Sequence, residues 1–276
     1  MAFANTASLS TDLNVDPYYD DFDETKNFHR VLFRPGLAVQ ARELTQLQTI
    51  LQNQIDRFGE HIFKEGSTVR GLEMTYDRRL SFVKLRDADQ TGATVNAAAF
   101  IGSELTGGTT GVKAYVIDAL TGAEANNPNM KTLYIRYTGA GTTGTTAAFA
   151  SGEVITSNTS LQANVVTSNS SVTPTGTGSR ISFGEGIFYA KDHFIRVPQS
   201  NTIVGRYDAN TQVKVGFVIN ETQTTSDSDT TLLDPSQGSY NYAAPGANRL
   251  KLTPVLTIKN LTDEDINFVE RARIKN

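Results

Sequence analysis

The sequence predicts a mainly β protein with one long N-terminal α-helix, an α+β chain whose β-domains are modular and elongated. Three observations carry this expectation. Leu44, Leu47, Leu51, Ile55, Phe58 and Ile62 follow one another by 3, 4, 4, 3 and 4 residues, which places them on a single helical face. Val213, Val215, Phe217 and Ile219 recur at period two, as in a strand with one buried face. Thr supplies about one residue in eight of the 276, and Gly and Ser are plentiful, a composition suited to short strands and turns.

Residues 1–27 read as an acidic-aromatic arm. Asp12, Asp16, Asp20, Asp21, Asp23 and Glu24 face only Lys26, and Tyr18, Tyr19 and Phe22 sit among the acids. Such a segment is either a solvated tail or an arm that orders on a neighbouring subunit. In the second case the three aromatics are its anchors, and Arg30, Arg34 and Arg42 offer the matching charge.

Residues 28–65 are expected to hold a long assembly helix, its start marked by Pro35-Gly36 and its end falling between Phe58-Gly59 and Gly66. Its polar positions are mostly amides, Gln40, Gln46, Gln48, Gln52, Asn53 and Gln54, where an exposed helix would carry Lys and Glu. Near a symmetry axis, copies of a charge repel, whereas a Gln amide donates and accepts and can bond its own copy. Gln46 and Gln48 therefore join the six apolar residues as expected interface positions. Leu37, Leu44, Leu51 and Phe58 also repeat every seven residues, with Leu47 completing a partial seam. The other seam positions are then Gln40, Gln54 and His61, so the 3.6-residue stripe fits better over its length. Whether the stripe packs on the chain's own sheet or on other subunits is left open.

After the helix the pattern turns to strands. Residues 66–86 and 180–258 are expected to form the main β-domain, with a hairpin of Ile187–Lys191 and His193–Val197 and a strand from Arg249 to Ile258. Residues 87–179 read as an inserted Thr/Gly-rich module with strands at Val112–Asp118, Leu133–Tyr137, Glu153–Thr156 and Leu161–Thr167. Residues 259–276, with a strand at Phe268–Ile274, read as the start of a further segment of a longer protein.

The composition argues against several classes of function. A chain without Cys has no disulfide, thiolate metal site or Cys nucleophile. A net charge of −4 makes no electrostatic case for nucleic acid as the main partner. No apolar run reaches the roughly 18–20 residues that span a bilayer, so membrane insertion is not expected. Met1–Asn5 lacks the basic and apolar regions of a secretion signal. Gly139-Ala-Gly-Thr-Thr-Gly144 has the letters of a dinucleotide fingerprint, but Ser151-Gly152 cuts short the helix it requires. His29, His61 and His193 are isolated, and the Asp227, Asp229 and Asp234 loop lacks the Gly and closing Glu of a calcium loop. No Gly-x-Ser-x-Gly elbow is present, and nothing in the sequence pairs two carboxylates for glycoside hydrolysis. No catalytic, cofactor or metal residue is expected.

Two blocks carry a resemblance. The first is Tyr19-Asp-Asp-Phe-Asp-Glu-Thr-Lys-Asn-Phe-His-Arg-Val-Leu-Phe-Arg-Pro-Gly-Leu-Ala-Val-Gln-Ala-Arg-Glu-Leu-Thr-Gln-Leu-Gln48, continuing through His61–Gly66. The second is Leu232-Leu-Asp-Pro-Ser-Gln-Gly-Ser-Tyr-Asn-Tyr-Ala-Ala-Pro-Gly-Ala-Asn-Arg-Leu-Lys251. Both resemble a family of virion structural proteins of tailed bacteriophages, especially contractile-tailed cyanophages, whose members serve as baseplate or tail-fibre parts. The Thr/Gly-rich 87–179 stretch is outside the resemblance. The resemblance implies a virion protein of the tail or baseplate, made in the bacterial cytoplasm, without enzymatic activity. The expected partners are copies of itself, as a homotrimer, and other tail or baseplate proteins. The alternative is a receptor-binding adhesin that contacts host surface glycans through polar loops such as 106–111 and 168–179.

Overall fold

A computed structural model describes residues 9–142, 144, 147–208 and 210–275. One α-helix, α1 (Ala41–Ile62), precedes the strands β1 (Thr68–Gly71), β2 (Met74–Lys84), β3 (Glu104–Gly107), β4 (Lys113–Leu120), β5 (Thr132–Gly139), β6 (Val154–Ser157) and β7 (Gln162–Asn164). They are followed by β8 (Thr175–Phe183), β9 (Gly186–Ala190), β10 (His193–Val197), β11 (Ser200–Gly205), β12 (Val213–Thr224), β13 (Arg249–Lys259) and β14 (Phe268–Ile274). The fold is mainly β with one long helix, as the sequence predicts.

The helix is shorter than the 28–65 expected of it. Gly36 stands at φ +81° behind Pro35, outside the helical region, so the chain cannot enter a helix there. The start moves to Ala41, where the Glu43 carboxylate accepts the Gln40 N–H at 2.8 Å, satisfying an amide that the helix leaves unpaired. At the other end the Phe63 N–H returns to the Gly59 carbonyl at 2.7 Å.

The chain divides into two compact units. Among the described residues the first comprises 9–74, Phe183–Ser200 and Gln212–Lys275 and contains α1 and two three-stranded sheets, ordered β1-β9-β10 and β13-β12-β14. Val213, Val215, Phe217 and Ile219 of β12 are all buried, as their alternation predicts. Phe217 lies against Phe183 and Phe188, with ring centroids 5.4 and 5.8 Å away. The β9–β10 hairpin turns on Lys191 and Asp192, both at positive φ, the geometry that matches the twist of two antiparallel strands. The strand expected at Phe268–Ile274 of the 259–276 segment belongs to this unit. β14 pairs with β12 from Val213↔Ile274 to Val218↔Phe268 and completes this sheet.

The second unit comprises Thr75–Ser182 and Asn201–Thr211, built on an eight-stranded sheet ordered β11-β8-β2-β5-β4-β3-β6-β7. The inserted module expected at 87–179 lies within this unit, whose bounds are wider. Its β5 pairs with β2, Ser81↔Ile135 through Lys84↔Thr132, so strands assigned from sequence to the main domain form part of this sheet. The core gathers Val83, Leu105, Val116, Leu133, Ile135 and Ile155.

Glu153 fixes the Thr106–Gly111 loop of this unit. Its buried carboxylate accepts the N–H groups of Thr109, Thr110 and Ala150 at 3.2, 3.1 and 2.6 Å and the Thr110 hydroxyl at 3.1 Å. Thr142 of the Gly139–Gly144 loop donates its N–H to the Thr110 carbonyl at 3.0 Å, so that Gly-rich stretch packs on a neighbouring loop; Thr143, Thr145 and Thr146 lie outside the described residues. Replacing Glu153 with Ala removes a buried acceptor that serves three backbone N–H groups and the Thr110 hydroxyl at once. The expected loss is about 2–4 kcal/mol of unfolding free energy, read by urea denaturation.

Candidate assembly surface

α1 meets its own unit mainly through small and polar side chains. Only Ile50 and Gly59 are buried within it. Gly59 lies flat against the Tyr189 ring, where a methyl group would come 2.5 Å from a ring carbon. The Tyr189 hydroxyl donates to the Asp56 carbonyl at 3.2 Å. Gln52 Nε2 donates to the Asp56 carboxylate at 2.6 Å and to the Asp192 carbonyl at 3.1 Å, tying the helix to the β9–β10 turn. Thr49 donates its hydroxyl to the buried carboxylate of Asp20.

The described part of the arm, from Leu9 onward, docks on this same chain rather than standing as a free tail. Asp21 accepts from Gln46 at 3.0 Å and pairs with Arg42 at 3.3 Å, while Glu24 pairs with Arg57. Tyr18 donates to Gln223 at 3.2 Å and accepts from Asn248 at 2.6 Å. Of the three expected anchors, Tyr18 is therefore engaged in cis and Phe22 is half-buried. Tyr19 is exposed, and its hydroxyl donates to the nearby Asp16 at 3.1 Å. Of the expected basic counterparts Arg42 is paired; Arg57 was not foreseen. Gln46, expected at an intersubunit interface, is turned toward the arm instead.

The apolar stripe points the other way. Leu44, Leu51, Ile55, Phe58 and Ile62 are all exposed, Leu51 and Phe58 by 58% and 64%, and Leu47 is half-buried. Packing of the stripe on the chain's own sheet, one of the two readings left open, is thus not what happens. Gln48 is exposed beside it. The preceding segment adds Phe28, Leu32, Phe33, Leu37 and Val39, with Leu32 at 75% exposure. An amphipathic helix normally buries its apolar side and wets its polar side. Here the relation is reversed within the chain.

The contact face was poorly legible. Ile50 is a single apolar residue off the stripe, and Gly59 gave the one local hint, since a glycine inside a helix often marks close approach. Asp56 carries the electrostatic cost of this face. Burial, together with the charges of Asp192 and Glu60, pushes its carboxyl up to about 6, against the opposing Gln52 hydrogen bond and His193. A raised carboxyl favours the fold when protonated, so that contribution is present below its ordinary 3.8 and lost as pH rises through about 6. Asp56→Asn is expected to flatten the fall in urea stability between pH 4 and 7 and to exceed the parent protein at pH 7. A parent profile flat over that interval would contradict it.

Among the described residues no group of three His, Asp or Glu side chains is placed to hold a metal ion, and no helix is long and apolar enough to cross a membrane. Comparison with known proteins bears on this part of the chain. No curated protein and no solved structure matches it. Residues 16–100 match a family described as a Domain of unknown function (DUF4815), a stretch that takes in the arm from Asp16, α1, β1 and β2.

Proposed function

We propose that this chain is a structural subunit of a bacteriophage tail, a baseplate or tail-fibre component, attached to its neighbours through residues 28–62. The observation that carries the reading is the outward-facing apolar stripe of α1. Exposed contiguous apolar surface of this kind costs solubility and is retained where a partner covers it. Five exposed stripe residues at about 1.5–3 kcal/mol each amount to a strong association once covered, before entropy is charged against it. The resemblance of the first block, which contains this helix, supplies the tail setting.

The second resembling block adds an independent contact. Its loop is braced by Asp234 N–H to Ala244 carbonyl and Ala243 N–H to Asp234 carbonyl, both 2.9 Å, and it presents Tyr240 and Tyr242 to solvent. Rigid exposed aromatics are characteristic anchors of protein interfaces. The adhesin alternative has less behind it. The 106–111 loop offered for glycan contact turns the Thr109 and Thr110 amides inward onto Glu153.

Antibody raised against the full chain should label the tails of particles produced by the genome that encodes it, in negative-stain micrographs. Particles that lack the protein by mass spectrometry, or carry it only on the head, would overturn the proposal.

A further inference from the structure

The exposed side of α1 has a pattern that the stripe reading does not bring out. Taking Leu44, Leu51 and Phe58 as one seven-residue series, the alternating series is Gln48, Ile55 and Ile62, not Leu47, Gln54 and His61. Together the six residues run at spacings of 4, 3, 4, 3 and 4, with Ala41 three residues ahead, and every one is exposed. That is the two-position seam of a coiled coil, held through the whole helix with one polar member, Gln48.

We infer that the partner of this surface is the same chain, and that α1 associates with its copies as a parallel, in-register coiled coil with Gln48 at the axis. The inference rests on α1 being an assembly surface and adds the occupant, the orientation and the register. Two features of the helix select copies over a different protein. First, the flank of the seam open to a partner is Gln40, Leu47, Gln54 and His61, since on the opposite flank Gln52 and Gly59 already face the chain's own Asp192 and Tyr189. No carboxylate, Lys or Arg lies among them; Arg42, Glu43, Asp56, Arg57 and Glu60 all fall elsewhere on the helix. A different partner is usually chosen by complementary flanking charges, whereas identical chains in register would set each charge against its own kind. Second, a single polar residue in such a seam fixes register. Gln48 suits that place because its amide both donates to and accepts from its own copies.

Strand number follows from competing cues. Ile55 and Ile62 opposite Leu44 and Leu51 favour two helices, while Leu47 on the flank widens the seam toward three. Either number satisfies the inference.

The absence of Cys makes the test direct, since each single-Cys variant of the full chain has one thiol. Light scattering should give a mass of two or three chains. Under mild oxidation Leu44→Cys and Phe58→Cys should each link to themselves at least tenfold faster than Arg57→Cys, which lies off the seam. A disulfide needs Cα atoms within about 7 Å, which parallel register provides at both positions. An equimolar mixture of Leu44→Cys and Phe58→Cys should give little of the mixed product. Gln48→Glu should raise the dissociation constant at least tenfold at pH 7 and recover below pH 4, where the added carboxyls are protonated. A mixed Leu44–Phe58 link with no self-links would mean antiparallel packing and overturn the register while leaving an assembly surface in place. A monomer at every concentration would overturn self-association altogether. The tail proposal would survive that outcome with a different neighbour, and it fails separately if particles carry none of the protein.

Discussion

Leu51→Asp is expected to yield a folded monomer, whereas Ile50→Ala, one residue away, is expected to weaken the fold itself. Leu51 is 58% exposed in the isolated chain, so a carboxylate there stays hydrated and should change the monomer's unfolding free energy by about 0.5 kcal/mol or less. In the assembled state the same carboxylate enters the seam and meets its own copies. A penalty of about 3 kcal/mol per chain, modest for a desolvated charge, already weakens association by more than a hundredfold. Ile50 is 3% exposed and is the one large apolar side chain that α1 buries within its own unit. Truncating it to Ala should cost about 2–4 kcal/mol through lost burial and the cavity left behind. The pair is measured together, by light scattering for mass and by urea unfolding monitored by circular dichroism at low protein concentration. Loss of folded structure in Leu51→Asp would mean that the stripe supports the monomer. An intact oligomer would mean that the stripe is bare surface.

This contrast marks where the sequence stops being legible. The spacing of Leu44 to Ile62 was enough to find a helix and its apolar face, because helical periodicity is a local property. Which face turns inward depends on Tyr189, far along the chain, whose ring takes the place a side chain at 59 would occupy. No local pattern encodes that. The same division holds among the strands. β12 announces itself through Val213 to Ile219, and the β9–β10 hairpin through two apolar runs around Lys191-Asp192. β8 begins Thr175-Gly-Thr-Gly and β11 begins Ser200-Asn-Thr, neither with an apolar alternation to read. Both become strands through their neighbours in the eight-stranded sheet, so tertiary pairing overrides weak propensity. The arm shows the limit for charge. Its acids were visible, as was Arg42, but Arg57 and the buried role of Asp20 depend on how the arm folds back along α1.

The largest effect on the first unit is expected from Glu221. Its carboxylate pairs with Lys191, and the two side chains are only 5% and 2% exposed. Burial alone would raise this carboxyl, but hydrogen bonds from Lys191 and Ser10 and the Lys191 charge overcome it and bring it down to about 2. The other oxygen holds the arm, accepting the N–H groups of Ser10 and Thr11 at 2.8 and 3.1 Å and their hydroxyls at 2.9 and 3.2 Å. One carboxylate thus satisfies a buried ammonium and clamps the start of the described chain. Glu221→Gln removes the charge and leaves Lys191 buried against a neutral amide, so a loss of about 3–5 kcal/mol is expected. Trypsin cleavage at Lys26, downstream of the clamp, should accelerate in the same variant. The double variant Lys191→Met, Glu221→Leu removes both charges, so it should regain much of the stability while the arm stays loose, because Ser10 and Thr11 still lack their acceptor. The separation of the two readouts is what identifies the clamp: a double variant that restored protection at Lys26 would show that the arm is held elsewhere. The pH dependence has a definite sign. A lowered carboxyl contributes stability above its ordinary value of 4.5 and loses it only as pH falls toward about 2, whereas the Asp56 contribution, of opposite sign, changes between 3.8 and about 6. Protection of the arm's amides against hydrogen exchange should therefore persist as pH is lowered from 7 to 4, while Glu221→Gln lacks it throughout.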